Sequence, residues 1–303
     1  MRGLLVGATG ILGSNLLVMS SKAEWIPTYW KNTLYHPNAL PLNLADYNKV
    51  VEVVEAVRPE VIVHTAGITK PDACERNPEF SYQVNVEGSF RLIAAAKKYG
   101  IRLIFMSSDL VFDGQQDRPY TEADAVNPQV VYGKHKVMVE ERCQRELNNY
   151  LVIRTGVMYG WTPNFLSSIA EWVLQRLSQG KRVDMFTDQY RNMAFVGDMV
   201  NFIDTMLSSS VTGIVHVASP NCVSKATFAY ELAYVFDYDL ALIGKTSSDN
   251  FQRRASVPKK IALDVSKMAK LLNTRFPNLH TSLTAMRHQL DVDYPQKFSQ
   301  WYH

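Results

Sequence analysis

The run Gly7-Ala8-Thr9-Gly10-Ile11-Leu12-Gly13 follows the apolar stretch Leu4-Leu5-Val6 and opens a segment of helical period reaching roughly Leu17. Strand, glycine turn and helix in that order leave few folds open. The first glycine permits a tight turn, the second lets backbone approach a pyrophosphate, and the third lets the helix pack on the strand. The helix N-terminus adds N–H donors for anionic oxygens. In this context Gly7, Thr9, Gly10, Ile11, Leu12 and Gly13 are candidate dinucleotide-binding residues, against the blander reading of a bare structural turn.

The alternation continues. Val50, Val51, Val53, Val54 and Val57 have helical spacing after Asp46, a cap residue, and Pro59 ends that helix. Val61-Ile62-Val63 reads as a strand, 79–99 as a helix, Leu103-Ile104-Phe105-Met106 as a strand, 130–147 as a helix and Leu151-Val152-Ile153 as a strand. Strands alternating with helices of this length imply right-handed crossovers and a parallel sheet. The expected fold is α/β, a doubly wound parallel sheet of the Rossmann type over residues 1–160. Beyond Gly160 the rhythm loosens, with helices expected at Phe165–Leu177, Asp198–Leu207 and Ser224–Phe236. Residues 161–303 read as a smaller α/β substrate-binding domain, from which 194–217 returns to the first.

Composition narrows the function classes. The 303 residues are 47% hydrophobic and 20% charged with net charge +3, which suits a globular enzyme and gives no footprint for nucleic acid. The three cysteines form no CxxC pair and the histidines no metal-ligand spacing, so neither a metal site nor a disulfide framework is expected. No apolar run approaches the ~18 residues of a membrane span. A soluble, cytoplasmic protein without membrane partners is the expectation.

An NAD site usually carries an acidic residue about 20 residues beyond the glycines, on the ribose 2′-hydroxyl. Here the second strand reads Trp25-Ile26-Pro27-Thr28-Tyr29-Trp30, and no Asp or Glu occurs between Ile26 and Ala45. With Lys31 available to a 2′-phosphate, NADP(H) is expected over NAD(H).

Tyr132 and Lys136 stand four residues apart, on one face of a helix. A phenol with pKa near 10 is a poor proton carrier at neutral pH, and lowering it toward ~7 asks for roughly 4 kcal/mol in favour of phenolate. A nearby ammonium supplies much of that where water is partly excluded. Met106-Ser107-Ser108-Asp109 ends a strand upstream, at the sheet edge where ligands of doubly wound folds bind. Tyr132, Lys136 and a serine hydroxyl from Ser107-Ser108 are therefore the candidate catalytic groups, and His135 is expected at the surface.

Together these residues resemble the extended short-chain dehydrogenase/reductase family, in its dTDP-4-dehydrorhamnose reductase branch. The likeness includes Leu42-Asn43-Leu44-Ala45-Asp46, His64-Thr65-Ala66-Gly67, Val84-Asn85-Val86, Ser107–Gly114, Asp188-Gln189 and Pro258–Asp264. The resemblance implies that Tyr132 gives a proton to a substrate carbonyl oxygen while NADPH delivers hydride. Lys136 would depress the Tyr132 pKa and hold ribose hydroxyls, and Ser108, where the branch has Thr, would hydrogen-bond the carbonyl oxygen. Asn43, Leu44, Thr65, Ala66 and Gly67 would lie along the cofactor. Ser107, Asp109, Asn164, Arg191 and Arg254 are candidate substrate contacts, with Arg191, Arg253 and Arg254 as candidate diphosphate grips.

Departures from the branch include Leu110 in place of an aromatic, and Tyr190-Arg191-Asn192-Met193-Ala194 in place of a small-residue and proline segment. Because Leu110 follows Asp109, the Asp-Glu pair of the sugar dehydratases is missing. The resemblance thus implies an NADPH-dependent, homodimeric reductase of a nucleotide-linked 4-keto-6-deoxy sugar in dTDP-rhamnose biosynthesis. The alternative is a non-catalytic, NADP-binding regulatory subunit, since the beta subunit of methionine adenosyltransferase resembles the same branch.

Overall fold

The computed structural model describes residues 1–163, 168–252, 254–274 and 276–302. Apolar triplets became strands and the amphipathic stretches between them became helices. β1 (Arg2–Val6) runs through the glycine turn into α1 (Ile11–Met19), then β2 (Glu24–Tyr29), the short β3 (Leu40–Pro41), α2 (Tyr47–Val57) and β4 (Val61–His64). The Asp46 side chain accepts from Lys49 N, and Arg58 in the left-handed region (φ 47°) closes α2 just before Pro59. The helix expected at 79–99 is present as α4 (Pro78–Tyr82), a π turn at Gln83–Glu87 and α5 (Gly88–Tyr99), with helical backbone at both junctions, and the short α3 (Pro71–Arg76) precedes it. Pro71 and Pro78 each occupy a first helical position, where the missing N–H costs nothing, so each starts a new helix.

Next come β5 (Arg102–Met106), α6 (Val131–Glu146), β6 (Tyr150–Arg154), β7 (Val157–Tyr159), α7 (Ile169–Ser178), β8 (Val183–Phe186), β9 (Tyr190–Phe195) and α8 (Val196–Leu207). β10 (Gly213–His216), β11 (Cys222–Ser224), α9 (Lys225–Val235), β12 (Ile243–Thr246), α10 (Ser266–Leu272) and α11 (Leu279–His288) complete the chain. The reciprocal capping box of Ser168 and Glu171 starts α7 at Ile169; residues 164–167, where that helix was expected to begin, lie outside the described residues.

The main sheet has seven strands in the order β10-β6-β5-β4-β1-β2-β3, all pairs parallel. From β1 the chain builds outward to β3 and then crosses back to place β4 on the other side of β1. At that reversal the connections after β1 and β4 leave in opposite directions from the carboxyl ends of the strands, the usual ligand position of such sheets. β10 pairs with β6, so the later half of the chain supplies an edge strand. The smaller sheets are β11-β9-β7 and β12-β8.

Successive strand residues point to opposite faces. Leu4, Val6, Ile62, Leu103, Phe105 and Val152 bury against one layer of side chains that includes Val50, Val54, Leu92 and Ile93. Leu5, Val61, Val63, Ile104, Leu151 and Ile153 belong to the opposite core, which continues through Phe202 into Phe195, Phe228 and Leu283. The second half is therefore fused to the sheet by a shared core. Among the described residues no helix is long and apolar enough to cross a membrane.

Candidate active site

The glycines of the turn differ in what they permit. Gly7 has φ +95°, and a Cβ there would meet Ala66 N at 2.6 Å. A Cβ on Gly13 would come within 2.2 Å of Gly7 O, so this glycine lets α1 lie directly on the turn. At Gly10 the nearest atom is Gly7 O at 3.5 Å, an ordinary contact. The protein itself has room for a side chain at Gly10; the space belongs to an approaching guest. Gly10 is also the N-cap of α1 without a side-chain cap, and no acidic residue occupies the first turn. That combination fits the diphosphate of a dinucleotide. Gly10→Ala should keep folding stability within about 1 kcal/mol of the parent yet weaken dinucleotide binding. Gly13→Ala should lose about 1–3 kcal/mol or more. Urea unfolding and NADPH titration of both variants check this, and equal behaviour in both assays would sink it.

Thr65 braces the turn: its hydroxyl lies 3.0 Å from both Val6 O and Gly7 O. Thr65 N and Ala66 N both donate to Val6 O. Beyond them, buried Asn85 in the π turn clamps Ile68, accepting from its N–H at 2.7 Å and donating to its carbonyl at 3.0 Å. This bond pair holds open the loop after β4 beside Gly67. Lys31 lies exposed in the loop after β2. Asn43 Oδ1 accepts from Ala45 N in its own turn, and Leu44 is buried against Gly88.

The second half of the site is set by one close approach. A Cβ on Gly133 would sit 2.1 Å from Leu110 O, so α6 begins directly on the turn that follows Ser108. This contact brings Tyr132 beside the end of β5. Ser108 Oγ donates to Asp109 Oδ1 (3.0 Å) and accepts from Leu110 N (3.2 Å). Lys136 Nζ donates to Met106 O at 2.7 Å, and lies 4.6 Å from the Phe105 ring centroid and 5.5 Å from that of Tyr132. Ser108, Tyr132 and Lys136 are thus gathered at one strand end and are all buried.

Their electrostatics differ from expectation. Burial, reinforced by the nearby Asp109 and Cys74, pushes the Tyr132 phenol up rather than down. Burial also lowers the Lys136 ammonium to about 8, with Glu140 opposing that shift. One of the three donors of the ammonium goes to the Met106 carbonyl, with Nζ 5.5 Å from the Tyr132 ring centroid. An ordinary phenol is already protonated at neutral pH, and the upward shift makes this one a weaker acid than a free phenol.

Three expected substrate contacts have other occupations. Arg191 Nε pairs with Asp109 Oδ2 at 3.1 Å, Nη1 donates to Tyr190 O and Lys259 O, and Nη2 to Pro258 O. With every nitrogen engaged and the side chain about 5% exposed, Arg191 has no fork left for a diphosphate. Asp109 is its buried partner and faces Arg191 and Ser108. Ser107 donates to Glu140, which in turn accepts a bidentate bond from Arg154. Arg254 is exposed, its backbone N–H tied to Asp72 Oδ1 at 3.0 Å. Asn164 and Arg253 lie outside the described residues. His135 is buried at 5% exposure, edge-on to Tyr82, because it takes the inner face of α6.

Glu140 and Arg154 were missed as parts of the site. Glu140 continues the 132–136 helix face by one more turn, a signal present in the spacing. Arg154, at the end of β6, had none.

Comparison with known proteins agrees with this architecture. The family described as the RmlD substrate binding domain matches residues 1–292. The probable low-salt glycan biosynthesis reductase Agl14 of Haloferax volcanii is 29% identical, covering 94% of this chain and 97% of its own. Methionine adenosyltransferase 2 subunit beta of Bos taurus is also 29% identical, covering 89% of this chain and 82% of its own. In fold, the chain is similar to the crystal structure of dTDP-4-dehydrorhamnose reductase from Bacillus anthracis in complex with NADP. The TM-score is 0.85 at 23% identity, covering 95% of this chain and 99% of that one.

Proposed function

The chain belongs to the RmlD substrate binding domain family and is an enzyme of the NAD(P)-dependent, extended short-chain dehydrogenase/reductase type, and from that premise we propose that it is an NADPH-dependent reductase of nucleotide-linked 4-keto-6-deoxy sugars. The observation that carries the proposal is the docking of α6 on the turn after Ser108, which gathers Ser108, Tyr132 and Lys136 beyond the carboxyl end of β5, two strands along the sheet from the β1 glycine turn. NADPH, when bound, supplies the hydride. Tyr132 donates its phenol proton to the carbonyl oxygen. The Ser108 hydroxyl, whose one proton goes to Asp109 Oδ1, turns from that carboxylate to hydrogen-bond the same oxygen. Lys136 offsets the phenolate left behind and holds ribose hydroxyls. NADP(H) is preferred over NAD(H) because no carboxylate follows β2, while Lys31 is exposed there. Arg254 remains the candidate for the substrate diphosphate. Residues 161–303, less the returning edge strand, form the substrate-binding part, and the working unit is a cytoplasmic homodimer.

The test is substrate-dependent oxidation of NADPH, with NADH in parallel, across nucleotide-linked 4-keto sugars. The rate also has a pH signature. A group whose pKa is lowered to about 8 loses its charge as pH rises through 8, and kcat/KM reports groups of the free enzyme. kcat/KM should therefore fall above about pH 8 as the Lys136 ammonium is lost. A profile flat to pH 10 would contradict that role.

A second reading, a non-catalytic NADP-binding regulatory subunit, is favoured by the likeness to the methionine adenosyltransferase subunit over 276 residues. It expects tight NADPH binding without turnover, and co-purification with a larger catalytic partner.

A further inference from the structure

The segment that follows α11 runs back across the fold to the glycine turn. Its 3-10 helix, Tyr294–Gln300, continues into Trp301 and Tyr302, and Tyr294, Phe298 and Tyr302 are buried in the same core as Ala8, Leu12 and Leu34. The Tyr302 hydroxyl donates to Ala8 O at 2.8 Å, inside the glycine turn itself. Tyr294 donates to Asn15 Oδ1 at 2.6 Å, on α1. Trp301 O accepts from Tyr35 N at 3.0 Å, and its ring packs against His36 at 4.6 Å, so the loop after β2 is held by the same strap.

The bond to Ala8 O has a directional consequence. The peptide bonds of the described chain are trans, and in a trans peptide the carbonyl of one residue and the N–H of the next point in opposite directions. Tyr302 is 2% exposed and lies beneath the turn. With the Ala8 carbonyl aimed at buried Tyr302, the Thr9 N–H is aimed the opposite way, and Thr9 is half-buried where Ala8 is fully buried. We infer that Tyr302 is a positioning residue for the cofactor: its hydroxyl fixes the Ala8–Thr9 peptide so that the Thr9 N–H is presented to an anionic phosphate of the dinucleotide. The inference rests on the dinucleotide reading proposed above and adds the residue that sets the turn's donor geometry from some 290 residues away in sequence.

The experiment is Tyr302→Phe, which keeps the ring and removes only the hydroxyl, with Tyr294→Phe as the control from the same strap. Binding of NADPH, NADH and adenosine 2′-monophosphate is titrated to each variant and to the parent chain, and thermal melting confirms folding. One lost hydrogen bond corresponds to a weakening of roughly five-fold. Tyr302→Phe should weaken NADPH and NADH by that same factor, because both carry the diphosphate. It should leave adenosine 2′-monophosphate, which lacks the 5′ phosphates, unchanged. Tyr294→Phe should leave the affinity for all three within about two-fold of the parent, since its hydroxyl reaches α1 and not the turn. Unchanged dinucleotide binding in Tyr302→Phe would overturn the inference. So would an equal loss for adenosine 2′-monophosphate, which would indicate general distortion of the site. A parent chain that binds neither dinucleotide would instead remove the cofactor reading, and this inference with it.

Discussion

Tyr132→Phe should reduce a nucleotide-sugar reductase rate by about a hundred- to ten-thousand-fold, the range that a positioned proton donor supplies. The phenol is buried at the start of α6, and burial together with Asp109 raises its pKa. The proton it holds is the one a carbonyl oxygen needs as hydride arrives at carbon. Phenylalanine preserves the ring that packs with Leu110, Phe112 and Ile261 in the small core around the site. Folding stability and NADPH affinity should accordingly stay close to those of the parent chain. Steady-state rates and NADPH titration on the same preparation separate the two effects. A variant that turns over within ten-fold of the parent would remove Tyr132 as the acid.

The largest effect on stability is expected at Glu140. Its carboxylate receives Arg154 Nε and Nη2, the latter at 2.6 Å, and the hydroxyl of Ser107, with both charged side chains less than 5% exposed. Lys136, one helical turn earlier, also feels its charge. Glu140→Gln leaves two buried cations facing a neutral amide, and breaking a buried pair from one side costs about 3–5 kcal/mol. Combining Glu140→Gln with Arg154→Met removes the stranded guanidinium and should recover much of that loss. Denaturant unfolding of both variants measures this, and a single-variant loss below about 1 kcal/mol would show that Glu140 does not anchor the site. Because Ser107 and Lys136 both lean on this carboxylate, the single variant should also lower activity at temperatures where it remains folded.

The parts of this molecule that were legible in the sequence are those set by local pattern. The glycine turn stood out because three glycines at fixed offsets answer three steric demands, and two of those demands are met within the protein at Gly7 and Gly13. That the main sheet is parallel followed from the alternation of strands and helices. The Tyr132–Lys136 pair was visible because helix periodicity places residues four apart on one face. What was not legible depended on partners distant in the chain. Arg191 looked like a free diphosphate fork, yet its nitrogens are taken by Asp109 and by carbonyls at 258–259 that sequence spacing could not bring near. The Tyr132 phenol was expected to be lowered by Lys136, whereas desolvation and Asp109 act in the other direction. His135 was expected at the surface, but the inner face of α6 carries Tyr132, His135, Lys136 and Val139 alike. The reach of Tyr302 to Ala8 likewise has no local signal, since neither residue constrains its own neighbours in a way that names the other.

The most direct measurement follows the hydride. With NADPH deuterated at C4 of the nicotinamide and a dTDP-linked 4-keto-6-deoxy sugar as substrate, the account predicts a reduced sugar with deuterium on the former carbonyl carbon. That label should vanish in Tyr132→Phe. An unlabelled sugar, recovered unchanged from a chain that binds NADPH, would contradict the account and leave the regulatory-subunit reading in its place.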